Sequence, residues 1–493
     1  PSNKPKTMQS TMKTTTTRAL TSSPQRLKQA FKRWNATGGL SCSSSFSTAT
    51  GNSADNDPIC ELAASNLRFG PGATAEVGMD LRDALGSHRV VVFTDPNVRH
   101  LNCMQVVLES LERSQISSVT VYDQVRVEPD DKSFQHAIEF LQNVGDYDAV
   151  IALGGGSVMD TAKAANLYAS FPPEGDFYDY VNPPVGKGLP VPPGGNLRPL
   201  IAIPTTAGTG SETTGVAIFD DSATSSKTGI ANRRLKPTLG IVDPNNTRTL
   251  PKQVATYSGL DVLCHAMESY TAMPFYKRSR PSSPDYRPAY QGSNPISDVW
   301  ALFALETAAK YLPQVVQEPD NEEARAKMLM ASSAAGMGFG NAGVHLCHGM
   351  SYPVASQVKT YVPEHGYEGV DHAIVPHGLS VIVNAPAVFR FTGIADPVRH
   401  KRCAEMLYAA RCPEESLLKE VVDEDAGRWL ADEISELAFL LDVPMGLRKL
   451  GYTEEDIPSL VQGTLPQHRV TKISPRPVGE KELEALFLDA LDA

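Results

Sequence analysis

Asp261, His265, His348 and His377 are the side chains of this sequence best suited by type to hold a divalent transition metal. Asp261 and His265 fall in the proline-free run from Tyr257 to Tyr270, which reads as a helix. Spaced four apart, they project from one face of it. His348 stands between Gly343 and Met350, and His377 lies between Pro376 and Gly378. One carboxylate and three imidazoles suffice for a metal site, and these ligand types admit zinc, iron or related ions alike. Spacing alone carries little weight. An Asp and a His four apart on a helix are commonly an ordinary half-buried pair, and the chain has 11 histidines. The weight comes from a second motif upstream.

That motif is the glycine run Gly154, Gly155 and Gly156, followed by Ser157 and Asp160. It follows the apolar stretch from Tyr147 to Leu153, a buried strand by composition, and leads into a helical stretch from Thr161 to Tyr168. Glycines let the backbone approach a bound group closely, and a helix N-terminus offers unpaired N–H groups to a pyrophosphate. Ser157 and Asp160 have the spacing of a capping box. The pattern is not the GxGxxG of the common dinucleotide fold. A second loop rich in hydroxyls, Thr205 to Glu212, opens from the strand Leu200–Pro204. Thr205, Thr206 and Thr209 can there hydrogen-bond a phosphate, a ribose or an amide. Lys227 is a further cation that could reach a polyanionic ligand, or sit on the surface.

The elements that must position these motifs follow an α/β order. Strands are expected near His88–Asp95, Ser118–Tyr122, Tyr147–Leu153 and Leu200–Pro204, with helices at about Val98–Arg113 and Ser133–Val144 between them. Strands alternating with helices predict a parallel sheet. Phe171–Pro199 is rich in Pro and Gly and reads as a loop. After about Pro251 strand signals cease, and helices are expected near Ala301–Tyr311, Glu322–Ala335 and Ala426–Leu441.

Composition narrows the function. The 493 residues can bury a large core, and 41% hydrophobic content is ordinary for a globular chain. A net charge of −11 argues against nucleic-acid binding, which calls for a basic face. No uninterrupted uncharged apolar run of membrane length appears, so no membrane span is expected. The 7 cysteines form no CxxC pair and no disulfide framework, which fits a reducing compartment. Residues 1–54 contain no Asp or Glu but several Lys and Arg, and Leu27, Phe31 and Trp34 recur at helical spacing. That is the composition of a mitochondrial transit peptide, with a plain basic tail as the alternative. The expected division is 1–55 transit peptide, 56–250 α/β nucleotide-binding domain and 251–493 helical metal-binding domain.

In this order Gly154–Asp160, Pro204–Glu212, Asp261 with His265, His348–Met350 and Pro376–Gly378 resemble the motifs of the iron-containing (group III) alcohol dehydrogenases. The resemblance runs from about Asn66 to the C-terminus. Four longer stretches, Phe171–Tyr180, Arg287–Asp298, Gly338–Pro353 and Gly463–Lys472, resemble the mitochondrial hydroxyacid–oxoacid transhydrogenase branch of that family. The resemblance implies an N-terminal nucleotide-binding α/β domain and an all-α C-terminal metal-binding domain, a dehydroquinate synthase-like arrangement with the site in the cleft between them. It makes Asp261, His265, His348 and His377 the ligands of Fe(II), with Zn(II) the alternative. It assigns Gly155, Gly156, Ser157, Asp160, Thr205, Thr206 and Thr209 to NAD, retained between turnovers or exchanged. Asp95 matches a position that contacts the adenosine ribose, where a carboxylate favours NAD over NADP. Tyr352 occupies a position where the wider family often has a second histidine. It and His345 are the candidates for proton transfer; His345 could instead bind a carboxylate, and a packed or exposed helix histidine is the plainer reading of it.

The implied reaction oxidises 4-hydroxybutyrate to succinate semialdehyde and reduces 2-oxoglutarate to 2-hydroxyglutarate, in the mitochondrial matrix. The partners would be small hydroxy and oxo acids, and a homo-oligomer is compatible with the sequence. Acidic substrates call for a cation in the cleft, and Lys277, Arg278, Arg280, Arg287 and Lys359 lie near the ligand motifs. Two other readings are an NAD-dependent alcohol dehydrogenase that releases NADH and a metal-binding structural protein without activity.

Overall fold

Strands of β-branched and small apolar residues build the first half around a parallel sheet. In the computed structural model they are β1 (Asn66–Phe69), β2 (Arg89–Phe93), β3 (Ser118–Tyr122), β4 (Ala149–Gly154), β5 (Leu200–Pro204) and β8 (Leu239–Val242). The described residues are 55–492 except 193–194, 224–225, 368–369, 371 and 415–420. The segment expected to be a transit peptide thus lies, up to residue 54, outside them. The sheet order is β1-β8-β5-β4-β2-β3, all parallel. Period-two alternation sends Val90 and Val92 to one face and Val91 and Phe93 to the other, and both faces are buried. Helix α1 (Asn102–Arg113) covers the first face through Met104, Val107 and Leu111. Helices α2 (Asp131–Asn143) and α3 (Gly156–Ser170) cover the second, with Phe134, Leu141 and Ala162 fully buried. Burying each Val, Leu or Phe of this kind contributes roughly 1.5–3 kcal/mol.

β2 has β3 on one side and β4 on the other. Strand order therefore reverses between β2 and β4, the crevice at whose carboxyl ends open α/β sheets bind ligands. Asp95 follows β2 and Gly155 follows β4, so the two motifs flank it. Sequence reasoning missed two features here. The four-residue edge strand β1 is too short to show a period. The antiparallel pair β6 (Val216–Asp221) and β7 (Ser226–Ala231) lacks clean alternation because both its faces are largely covered. This hairpin carries Lys227.

The second half is helical, and among the described residues no named strand follows residue 242. Its principal helices are α4 (Lys252–Thr271), α5 (Pro295–Gln317), α6 (Glu322–Ala342), α7 (Leu346–Ser356), α8 (His377–Ile382), α9 (Ala385–Thr392), α10 (Pro397–Arg411), α11 (Ala426–Leu440), α12 (Ile457–Thr464), α13 (His468–Thr471) and α14 (Glu480–Ala490). α4 is the central rod, packed against α5, α6 and α8 and buried on every side from Leu260 to Ser269. Residues 377–395 are apolar enough over a membrane's length, at mean hydropathy 1.4, yet 78% of that window is buried in this core. The apolarity is that of an internal segment.

Candidate active site

α4 presents Asp261, His265 and Glu268 along one face, as their spacing dictates. His348 enters from the first turn of α7 and His377 from the first residue of α8. α8 comes this close because residue 378 is glycine: a Cβ there would lie 1.9 Å from the Tyr257 carbonyl oxygen. The Nε2 atoms of His348, His265 and His377 lie 3.4, 3.6 and 3.8 Å from Asp261 Oδ1. Donor atoms of Asp261, His348 and His377 all fall within 4.8 Å of one another, with His265 at the flank. A tetrahedral ion with ligand distances of about 2.1 Å spaces its ligands about 3.4 Å apart, so these atoms are set as such an ion requires.

Asp261 Oδ1, His348 Nε2, His265 Nδ1 and His377 Nδ1 are closed off from solvent and have no hydrogen-bond partner. Orphaned buried polar atoms cost about 1–3 kcal/mol each, and a shared cation would offset that cost for Asp261 Oδ1 and His348 Nε2, which face one another, whereas the Nδ1 atoms of His265 and His377 lie across their rings from the Nε2 that faces Asp261. Burial pushes His265 down to about 3 and also lowers His377, so both are neutral lone-pair donors. Burial opposes the Asp261 charge, but the three imidazoles hold its carboxyl well below the usual range. His265 is wedged between rings, stacked on Phe339 at 4.0 Å and on His348 at 4.7 Å between centroids.

Glu268 is the residue sequence reasoning missed. Oε2 hydrogen-bonds His348 Nδ1, and Oε1 accepts from the backbone N–H of His345 (2.9 Å), Cys347 (2.8 Å) and His348 (3.3 Å). It caps the start of α7 and fixes which His348 nitrogen faces Asp261. Burial works against this carboxylate, but His348 prevails and holds it down at about 2. Burial likewise works against His348, yet Glu268 and Asp261 lift it to about 10. The missed signal was the spacing 261, 265, 268 on one helical face.

The cluster opens onto two joined spaces. A cleft of ≈ 770 Å³ is lined by Asp95, Gly155, Gly156, Ser157, Thr205, Thr206 and Thr209, and reaches Asp261 and His377. A smaller cavity of ≈ 160 Å³ shares Gly156, Ser157, Thr209, Asp261 and His377, and adds Asp160, Lys227, His265, His348, Tyr352 and Arg469. Gly156 is tight against Thr209, whose Cγ2 would be 2.6 Å from a Cβ. Asp95 accepts from Asn97 and Val98 N–H, both at 2.9 Å, closing the turn after β2.

Several readings need correction. α3 begins at Gly156 with Gly155 as its uncapped start, so Ser157 and Asp160 form no capping box. Ser157 Oγ accepts instead from Glu128 N–H (3.2 Å), and Asp160 accepts from Ser211 Oγ (2.7 Å) and Ile218 N–H (3.0 Å). Lys227 lines the small cavity, not the cleft, with Nζ 2.6 Å from Glu128 and 3.0 Å from Asp220. Burial opposes its charge, but Asp220 and Glu128 keep it protonated. His345, a candidate proton carrier whose plainer reading is a packed histidine, is fully buried and lines neither space, in keeping with that plainer reading. Its Nε2 meets Thr271 Oγ1 at 3.0 Å, and burial lowers it to about 4. Tyr352 does line the small cavity, its hydroxyl accepting from Arg469 Nη2 at 2.9 Å. Of the cations near the ligand motifs, Arg278 and Arg287 pair with Asp57 and Lys359 with Asp456, and none of the five lines either space.

Comparison with known proteins identifies the family. A family profile described as iron-containing alcohol dehydrogenase matches residues 64–244, and its C-terminal counterpart matches 289–491. The chain is 54% identical over 448 residues to the mitochondrial hydroxyacid-oxoacid transhydrogenase of Xenopus laevis, covering 90% of this chain and 93% of that protein. It is 54% identical to the human protein of the same name, covering 87% and 89%. Among solved structures, a 1,3-propanediol oxidoreductase superposes with TM-score 0.73 at 26% identity, over 88% of this chain and all of that one. A sulfoacetaldehyde reductase from Bifidobacterium kashiwanohense in complex with NAD+ gives 0.67 at 27% identity, over 89% of this chain and 100% of that one.

Proposed function

The chain belongs to the iron-containing alcohol dehydrogenase family, and from that membership we propose that it is a mitochondrial hydroxyacid–oxoacid transhydrogenase using a metal and NAD. It takes a hydride from 4-hydroxybutyrate, leaving succinate semialdehyde, and delivers it to 2-oxoglutarate, giving 2-hydroxyglutarate. Fe(II) is the metal proposed, and residues 1–55 are proposed as the transit peptide that directs the chain to the matrix. The observation that carries this reading is the convergence of the His265, His348 and His377 Nε2 atoms on Asp261 Oδ1 at the junction of the two spaces. The identity of 54% across nearly the whole of the named relatives supports the choice of reaction.

Held by those four residues, the metal supplies a Lewis-acid charge that lowers the pKa of the substrate hydroxyl, and NAD in the larger cleft supplies the hydride carrier. The protein's own groups position and shield. Glu268 holds His348 in one tautomer and orientation. The Gly155–Ser157 turn and the start of α3 direct N–H groups at the pyrophosphate. Asp95, at the end of β2, meets the ribose. Phe339 closes the flank of His265 against water.

The test uses iron-loaded protein with 4-hydroxybutyrate and 2-oxoglutarate and no added nucleotide, followed by mass spectrometry. Equal amounts of semialdehyde and 2-hydroxyglutarate are expected. If turnover requires added NAD and yields NADH, the protein is a conventional dehydrogenase instead.

A further inference from the structure

We infer that Arg469 is the anchor for the substrate carboxylate, and that this one guanidinium holds the hydroxy acid and the oxo acid in turn. The inference rests on the acid-to-acid reading above and names the residue that gives it selectivity. Arg469 sits on α13, in the stretch Gly463–Lys472, and lines the small cavity together with the metal-ligand cluster. Its Nη2 donates to Tyr352 Oη at 2.9 Å, and its Cζ lies 4.9 Å from the centre of the Tyr290 ring. Nη1 is closed off from solvent and has no hydrogen-bond partner. Among the described residues, no carboxylate lies within ion-pairing distance of it. The other cation lining this cavity, Lys227, is already held between Glu128 and Asp220. A guanidinium left unpaired in a closed space is costly, and a carboxylate is the ligand whose two oxygens match its fork.

The position is braced. Gln467 Nε2 donates to the Lys227 carbonyl at 3.1 Å, tying the start of this turn to β7. Val470 and Thr471 pack on Gly349, beside His348, where a Cβ would meet Thr471 Cγ2 at 3.2 Å. The backbone at Arg469 is thereby held beside the ligand cluster, and Tyr352 and Tyr290 hold its guanidinium.

A fixed anchor accounts for two substrates of different length. In 4-hydroxybutyrate two methylenes separate the reacting carbon from the carboxylate. In 2-oxoglutarate two methylenes separate the oxo carbon from its distal carboxylate. With that carboxylate on Arg469, both reacting carbons fall at the same place beside the cluster.

The test compares each acid with an analogue whose anchoring carboxylate is a methyl group: 4-hydroxybutyrate with 1-butanol, and 2-oxoglutarate with 2-oxopentanoate. Arg469→Gln should raise KM for both acids about 10- to 100-fold and leave turnover of both analogues within about threefold. Arg469→Lys, which keeps charge but not the fork, should fall between. Binding of glutarate, followed by calorimetry on wild type and R469Q, gives a readout independent of turnover, and R469Q should lose it. Unchanged acid KM values and glutarate affinity in R469Q would overturn the inference, as would equal losses for acids and analogues. If wild type binds glutarate through Arg469 yet shows no acid-to-acid transfer, the anchor stands and the proposed reaction fails.

Discussion

Replacing Glu268 by glutamine tests whether the metal site depends on a residue that touches no substrate. Its Oε1 accepts from three backbone N–H groups at the start of α7, and its Oε2 faces His348 Nδ1. Glutamine has one carbonyl oxygen and one NH2. With the oxygen left on the three N–H donors, the NH2 faces Nδ1, which must then accept. In the neutral ring that a cation requires, the single proton then sits on Nε2, the atom that faces Asp261, which leaves no lone pair there for a cation. The expected cost is a 10- to 100-fold loss of metal affinity, about 1.4–2.7 kcal/mol. Glu268→Ala should do more, because three N–H groups at a buried helix start lose their acceptor, destabilising the metal-free fold by about 3–5 kcal/mol. Chelator competition gives the first quantity and thermal unfolding of metal-free protein the second. An E268Q variant that binds metal as wild type does, with only its melting temperature lowered, would refute the reasoning and reduce Glu268 to a helix cap.

Other outcomes follow from single contacts. His265→Ala should cut metal-dependent turnover by more than about 100-fold, and wild-type turnover there would remove it from the ligand set. Gly156→Ala forces Thr209 aside, since its Cγ2 lies 2.6 Å from the new Cβ, and should weaken NAD binding on the order of 10-fold by calorimetry. Lys236 is pushed down to about 8 by burial and by the charges of Lys163 and Arg233. A lysine whose folded pKa lies below its unfolded value of 10.5 costs stability at neutral pH, and that cost is relieved as pH rises from about 8 towards 10.5. Lys236→Met should therefore raise the melting temperature at pH 7, by a gain of about 1–3 kcal/mol, and the gain should shrink above pH 9. No gain at pH 7 would show that the ammonium is not strained.

The sheet was legible because its strands are short apolar runs rich in β-branched residues; the edge strand Ser118–Tyr122 and the buried Leu200–Pro204 match their expected bounds. The glycine turn was legible because it joins a strand to a helix. The helix start was less so. α3 begins at Gly156, five residues ahead of the expected Thr161, since its first turn is built of the glycine and serine that propensity counts against helix. His345 has the sequence neighbourhood of a ligand, yet its side chain turns back to Thr271 as a packed histidine does. Arg278 and Arg287, which could not be told apart from surface cations in the sequence, are ion-paired elsewhere. Their partners Asp57 and Glu61 lie more than two hundred residues earlier, and no local pattern reveals such pairing.

The same limit explains Arg469. A lone arginine in a four-residue helical turn has no local signature; its role arises where α13 packs beside His348 and faces a cavity built from several distant parts of the chain. The chemistry and the selectivity thus come from separate elements. α4, α7 and α8 bring the proposed metal ligands, and the turns after β2, β4 and β5 line the cleft proposed for the nucleotide. The α13 turn supplies a cation for the acid end of the substrate. An exchange confined to α13 should therefore alter which alcohols are accepted while leaving metal and nucleotide affinity intact. Its packing against β7 and Gly349 dictates that such an exchange keep Gln467, Val470 and Thr471.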